Sequence, residues 1–191
     1  RGARERIASF MRGACQDGRV SGPDHPTKEA VRRGDVVVGW REWVRMSGHG
    51  VPWIKAKVDT GARTSSLHAF DLEEVVVEGR DHVSFTIHPW QATDEDAVGL
   101  TLPVHDRRSV RSSSGHAEDR IVVLMRLTLA RRRITAEVTL TDRDEMGFRM
   151  LVGRQALEQA FLVDSRLSYA GGRPARATRR EADVRVRHIA R

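Results

Sequence analysis

The stretch Ile54-Lys55-Ala56-Lys57-Val58-Asp59-Thr60-Gly61-Ala62 decides the fold. Ile54, Ala56 and Val58 alternate with Lys55, Lys57 and Asp59, the period-two pattern of a half-buried strand, and Gly61 interrupts it. Taken alone, Asp-Thr-Gly at the end of a strand is a weak signal, because Asp and Gly serve ordinary turn geometry there. Two neighbours make it more specific. Arg63-Thr64-Ser65-Ser66-Leu67-His68-Ala69 continues directly after it, and further along stands Met150-Leu151-Val152-Gly153-Arg154, an apolar run broken by Gly and leading into a helix.

Working outward, the chain predicts many short strands. Val36–Val44 reads as one strand, followed by Ile54–Asp59, Val75–Val77, His82–His88 and Leu100–Val104. Arg107–Glu118 is polar and reads as a long loop or a hairpin tip. Ile121–Leu129 and Arg133–Thr141 form a hairpin around Ala130–Arg132, and Met150–Val152 is a short apolar strand. Arg154–Ala160 reads as a helix with Ala156, Leu157 and Ala160 on one face, and Phe161–Val163 returns as a strand. Strands with one late helix indicate an all-β barrel or sandwich.

Composition sets the bounds. At 191 residues, 39% hydrophobic and 31% charged, the chain has the length and balance of one soluble domain with tails. Its single cysteine, Cys15, leaves no intramolecular disulfide and no cysteine-based zinc site, which favours a reducing compartment; a cytoplasmic location is expected. No apolar run approaches a membrane span, so no membrane partner is expected, and Arg1–Val20 lacks the apolar core of a signal peptide. The net charge of +7 is unevenly spread. Residues 1–34 hold eight Lys/Arg against four Asp/Glu, residues 171–191 seven against two, and the middle 18 against 20. Three parts follow: a disordered basic tail over 1–34, a β-rich domain over 35–170 and a second basic tail over 171–191. Solvated ends are the plain reading of such tails, and weak RNA or ribosome contact the sharper one.

The domain resembles the bacterial and archaeal family often called "ATP-dependent zinc proteases", associated with a ribosomal-modification glutamate ligase and understood as retropepsin-like. The likeness lies in Gly39-Trp40-Arg41-Glu42-Trp43-Val44, in Ile54 through Ala69, in Phe85-Thr86-Ile87-His88-Pro89, in Val110-Arg111-Ser112-Ser113-Ser114-Gly115-His116, and in Arg143 through Arg154. It implies a closed retropepsin-like barrel with one short C-terminal helix and an aspartic peptidase activity. Asp59, Thr60 and Gly61 would be the catalytic loop. Leu151, Val152, Gly153 and Arg154 would support it, Arg154 as a structural brace. Ala62, Arg63, Thr64, Arg111, Ser112, Ser113, Ser114 and His116 would meet substrate.

Aspartic peptidases work with two carboxylates held close enough to share one proton. Only one Asp-Thr/Ser-Gly is present, since Asp164-Ser165 is followed by Arg166. The second aspartate must come from a second copy, so a homodimer is expected. Where retroviral relatives keep an acid after Asp-Thr-Gly-Ala, this chain has Arg63. Arg107, Arg108, Arg111 and Arg120 surround the Ser-rich segment, which could form a flap. Guanidinium forks suit carboxylates. That agrees with what the resemblance implies, hydrolysis of poly-α-glutamate or glutamylated peptides. The plainer alternative pairs these arginines with Asp106, Glu118 and Asp119.

The older family name suggests a zinc-dependent hydrolase. The sequence lacks His-Glu-x-x-His, and His68, His88, His105 and His116 stand in separate segments without ligand spacing. A Gly-rich loop ending in Gly-Lys-Ser/Thr is absent too. Neither metal nor another cofactor is expected. A third reading is a non-catalytic binding module held to ribosomes by its tails. His68 is as readily packed as substrate-binding, and Trp40, Trp43 and Trp53 suit a core or a dimer interface.

Overall fold

The structure, a computed structural model, describes residues 34–90, 96–111, 117–141, 147–175 and 178. The expected tail over residues 1–34, apart from Gly34, and most of that over 171–191 lie outside them. Eleven strands and one short helix are described: β1 (Val36–Val38), β2 (Arg41–Met46), β3 (Val51–Val58), β4 (Ser65–His68), β5 (Phe70–Val77), β6 (Arg80–Ile87), β7 (Val98–Arg111), β8 (Ala117–Leu129), β9 (Arg132–Thr141), β10 (Met150–Val152), α1 (Arg154–Leu157) and β11 (Phe161–Val163).

Six strands close on themselves. The order β2-β3-β10-β4-β9-β8 returns to β2 through the pairs Val44↔Leu129, Arg45↔Thr128 and Met46↔Leu127. Closure removes the exposed sheet edges of the ring. Its interior is filled by alternate residues: Val44, Ile54, Leu67, Met125, Leu127, Leu140 and Met150 are buried. The expected all-β barrel with one short helix is what forms. Beyond the ring β8 continues into an antiparallel arm with β7, and β6 and β5 extend that arm as a meander.

Several expected elements differ in extent. Val36–Val44 is two strands, because the chain bends at Gly39. A Cβ there would stand 2.3 Å from the carbonyl oxygen of Leu167, and the Gly39 N–H donates to Glu42 Oε1 at 2.7 Å. The polar stretch Arg107–Glu118 is mostly strand: β7 runs to Arg111 and β8 starts at Ala117, paired from Arg111↔Ala117 to Val104↔Val123 around a bulge. Only the tip remains, and it lies outside the described residues. The helix stops at Leu157 rather than Ala160.

Trp40, Trp43 and Trp53 are not core residues. Trp40 is exposed and the other two half-buried. Trp43 stacks on Tyr169, with Arg41 and Arg173 over the same tyrosine ring at 5.0 and 4.5 Å. This cluster fastens the segment after β11 to the barrel. Under it lies Glu42, fully buried, whose carboxylate accepts the N–H groups of Gly39, Ala170 (2.8 Å) and Gly171 (3.0 Å). Three charge-assisted bonds offset the cost of burying that anion.

Candidate active site

The strand order builds the site. β10 lies between β3 and β4, parallel to the first and antiparallel to the second. The connection from Val58 to Ser65 must therefore arch over the end of β10, and Asp59-Thr60-Gly61-Ala62-Arg63-Thr64 is that arch. Asp59 N–H donates to Val152 O at 2.9 Å, so the last ladder bond fixes the aspartate at the mouth of the barrel. Asp59 Oδ1 accepts from the N–H groups of Gly61 (3.0 Å) and Ala62 (3.2 Å). These two bonds aim the carboxylate into the arch. Asp59 is half-buried, while Thr60 and Gly61 are exposed.

The supporting residues meet the arch from beneath. Arg154 Nη1 donates to the carbonyls of Thr60 (3.0 Å) and Gly61 (3.2 Å). The N–H groups of Arg154 and Gln155 donate to Ala62 O and Arg63 O. The first two N–H groups of α1 are thus satisfied by the arch, while those of Ala156 and Leu157 donate to Gly153 O. Gly153 lies directly under it: a Cβ would stand 2.6 Å from both the carbonyl carbon and oxygen of Thr64. Leu151 and Val152 pair with Lys57 and Val58, and Leu151 also with Ser66.

Ser65 and Thr139 complete the support, and no role was read for them in the sequence. Buried Ser65 Oγ accepts from the Gly153 N–H at 3.1 Å, and Thr139 Oγ1 donates to Ser65 O at 3.1 Å. Two serines after an Asp-Thr-Gly turn look like solvent-facing loop; only a strand assignment for Ser65–His68 would have turned one of them inward.

The expected substrate-binding residues divide. Ala62, Arg63 and Thr64 are on the arch, with Arg63 exposed. Arg111 ends β7, whereas Ser112, Ser113, Ser114 and His116 lie outside the described residues. Of the other arginines, Arg107 binds Glu74 and also Asp81 (3.3 Å), and Arg120 binds Glu118 at 2.9 Å. Arg108 binds Asp106 (2.6 Å) and Glu137 (2.5 Å). These three are structural ties of the β7–β8 arm, with Asp106 and Glu118 among their partners. Glu137 sits on β9, the strand beside β4. The Arg108 hydrogen bond holds its carboxyl below the ordinary range against its partial burial, assisted by the charges of Arg108, His105 and Arg63. Arg63 and Arg108 thus act on one carboxylate between the arch and the root of the arm.

His68 is buried and packed edge-on against Phe70, with ring centroids 4.2 Å apart; His88 meets the same ring at 4.5 Å. Its role is packing at the β4–β5 corner. Among the described residues no three His, Cys, Asp or Glu side chains come together as a metal ion requires. None of the described helices is long and apolar enough to cross a membrane.

Comparison with known proteins agrees with this geometry. The chain is 40% identical over 136 residues to a probable alpha-L-glutamate ligase of Desulfotalea psychrophila, covering 71% of this chain and 29% of that protein. It is 42% identical to a probable alpha-L-glutamate ligase of Shewanella pealeana, covering 71% and 30%. The chain therefore spans less than a third of the length of these curated relatives. Among solved structures, a Legionella pneumophila protein of unknown function superposes with a TM-score of 0.61 at 25% identity, over 71% of this chain and 97% of that one. Residues 37–174 match the RimB-like family, described as retropepsin-like aspartic endopeptidase RimB. The chain belongs to that family.

Proposed function

We propose that the chain is one subunit of a homodimeric aspartic endopeptidase that hydrolyses acidic, glutamate-rich peptides, with Asp59 as its catalytic carboxylate. The observation that supports this most is the braced arch: a lone carboxylate at the barrel mouth, its Oδ1 held by Gly61 and Ala62, its loop gripped by Arg154. Such rigidity is what a preorganised catalytic group needs.

One aspartate supplies half of the chemistry. A second copy, related by a two-fold axis through exposed Thr60 and Gly61, brings its own Asp59 alongside. At contact distance the pair holds one proton. The ionised carboxylate takes a proton from water as the oxygen attacks the scissile carbonyl, and the protonated one donates to the carbonyl oxygen. Collapse of the tetrahedral intermediate breaks the C–N bond, and the amine leaves protonated.

An apolar patch adjoining the arch supports a dimer. Val37, Leu162 and Val163 are exposed on the β1–β11 pair, beside exposed Trp40 and Leu167, which are joined by the bond from Trp40 N–H to Leu167 O. The Trp40 carbonyl also holds Val58 N–H, one residue before Asp59. Val37 and Leu162, partners in the ladder, set exposed apolar side chains side by side, as an interaction surface does. Exposed Arg63 on the arch supports an acidic substrate, since a guanidinium fork pairs with carboxylate in two parallel bonds. The names of the ligase relatives point the same way.

The test is cleavage of poly-α-glutamate at a series of protein concentrations. Specific activity should rise with concentration and level off, and adding an excess of Asp59→Asn subunits to wild type should suppress it by forming mixed dimers. Concentration-independent activity that ignores the added variant would contradict the shared site.

A further inference from the structure

At the barrel end where β2 turns into β3, a groove of about 490 Å³ is lined by Ser47, Gly48, Arg126, Arg133, Thr135 and Gln159, among others. A second cavity of about 300 Å³ shares Ser47 and Gly48 and adds Arg45. The two lie on either side of the turn at Ser47 and Gly48.

The ladder registers place its charges. Arg45 on β2 is opposite Thr128 on β8, Thr128 is opposite Arg133 on β9, and Arg126 is opposite Thr135. Met46, Leu127, Leu129 and Ile134 are buried, so the intervening positions turn outward. Three guanidiniums therefore share one face across three adjacent strands. Strands lie about 4.8 Å apart, which puts Arg45 and Arg133 roughly 10 Å from each other along the row.

These arginines differ from those of the β7–β8 arm. Arg107, Arg108 and Arg120 each hold a carboxylate. Among the described residues Arg45, Arg126 and Arg133 have no carboxylate within ion-pair distance. The turn is shaped around one of them. Gly48 has a φ of +86°, and a Cβ there would stand 2.9 Å from Arg126 Nη2. Glycine thus permits both the left-handed turn and the close approach of the guanidinium. Arg45 lies over the half-buried ring of Trp53 at 5.5 Å, and the hydroxyls of Ser47 and Thr128 bond to each other at 2.7 Å.

We propose that this arginine row is a docking face for the phosphate backbone of single-stranded RNA. A single strand presents one phosphate per nucleotide, so a row of this length spans a few successive phosphates. Cations beside an aromatic face are the usual furniture of single-strand binding. Eight residues of β8 lie between Arg126 and Ala117, roughly 30 Å at strand rise, so the row is remote from the tip of the β7–β8 arm. The proposal stands independently of the peptidase reading.

The test is fluorescence anisotropy with a labelled oligouridylate of about 16 nucleotides, titrated with the full chain at several salt concentrations. R126E/R133E should weaken binding about tenfold or more and reduce the salt slope by roughly 1.4. R80E/R166E makes the same charge change on other parts of the surface and should leave affinity within about twofold if the row is specific. Thermal unfolding checks that each variant folds, and R126Q/R133Q, expected to weaken binding in the same direction, replaces any that does not. Equal losses in the two pairs of variants would overturn the proposal, as the effect would be one of net charge. So would no binding by wild type, or binding to phosphatidylglycerol vesicles that R126E/R133E abolishes while oligouridylate binding persists.

Discussion

A Cβ on Gly153 would stand 2.6 Å from the carbonyl carbon and oxygen of Thr64, closer than side-chain atoms come to backbone. The φ of Gly153 is −84°, so its backbone needs no special freedom; space alone demands glycine. Gly153→Ala should therefore displace the arch rather than strain the residue. A loss of about 1–3 kcal/mol in urea unfolding is expected, the usual cost of overpacking. Unchanged stability together with wild-type turnover would mean that the arch moves freely and is not held from beneath.

Glu42 is the anion on which the segment after β11 is fastened. Glu42→Ala would leave the N–H groups of Gly39, Ala170 and Gly171 without their acceptor. Each unsatisfied buried donor costs about 1–3 kcal/mol, so a loss of roughly 3 kcal/mol or more is expected by urea unfolding. Glu42→Gln should lose less, because one amide oxygen still accepts. Proteolysis should cut the Glu42→Ala chain near Leu167–Arg173 first; resistance equal to wild type would contradict the fastening.

Arg108 holds Glu137 below the ordinary carboxyl value of 4.5. A carboxyl whose folded value is lowered stabilises the fold above its unfolded value, and that contribution is lost as pH falls through the lowered one. The tie between the root of the arm and β9 should thus persist near neutrality and fail only in acid. Carbon-detected titration of the Glu137 side chain in Arg108→Ala should show its midpoint moving up. A midpoint that stays where wild type has it would show that Arg108 is not the cause.

Arg63 stands on the arch, exposed, with Glu137 in its field. Arg63→Ala should lower kcat/KM on poly-α-glutamate by about 10- to 100-fold, the cost of losing one charge-assisted pair to substrate. A peptide with glutamine in place of glutamate should be little affected. Equal losses on both substrates would make Arg63 a support of the arch rather than a reader of charge.

Particular residues explain what the sequence made legible. β3 and β10 were plain because one shows strict alternation and the other is an apolar run stopped by Gly153. The β8–β9 hairpin was plain because its inner face lines the closed ring, forcing Val123, Met125, Leu127 and Leu129 into period two. β4 was missed because all four of its residues are buried, two of them serines, so nothing alternates. Arg107–Glu118 reads as a long loop or a hairpin tip because this part of the β7–β8 arm leaves the barrel and carries charges along most of its length. The expectation for Asp59 and its supports rests on resemblance as much as on pattern. Glu42 had a signal that went unused: it shares the inward parity of Val44 and Met46, so a carboxylate was due to be buried in β2. Glu137 had none, since its partner Arg108 is distant in sequence and close only across the finished sheet.

The central claim is that Asp59 performs the hydrolysis. Wild type and Asp59→Asn should be incubated with poly-α-glutamate and the products read by mass. Asparagine can still accept from Gly61 and Ala62, so the fold should remain, but it cannot take the proton from water. Shortened glutamate chains are expected with wild type alone, with turnover in the variant reduced by about 10³-fold or more. Product formation by a folded Asp59→Asn chain at the wild-type rate would contradict the account.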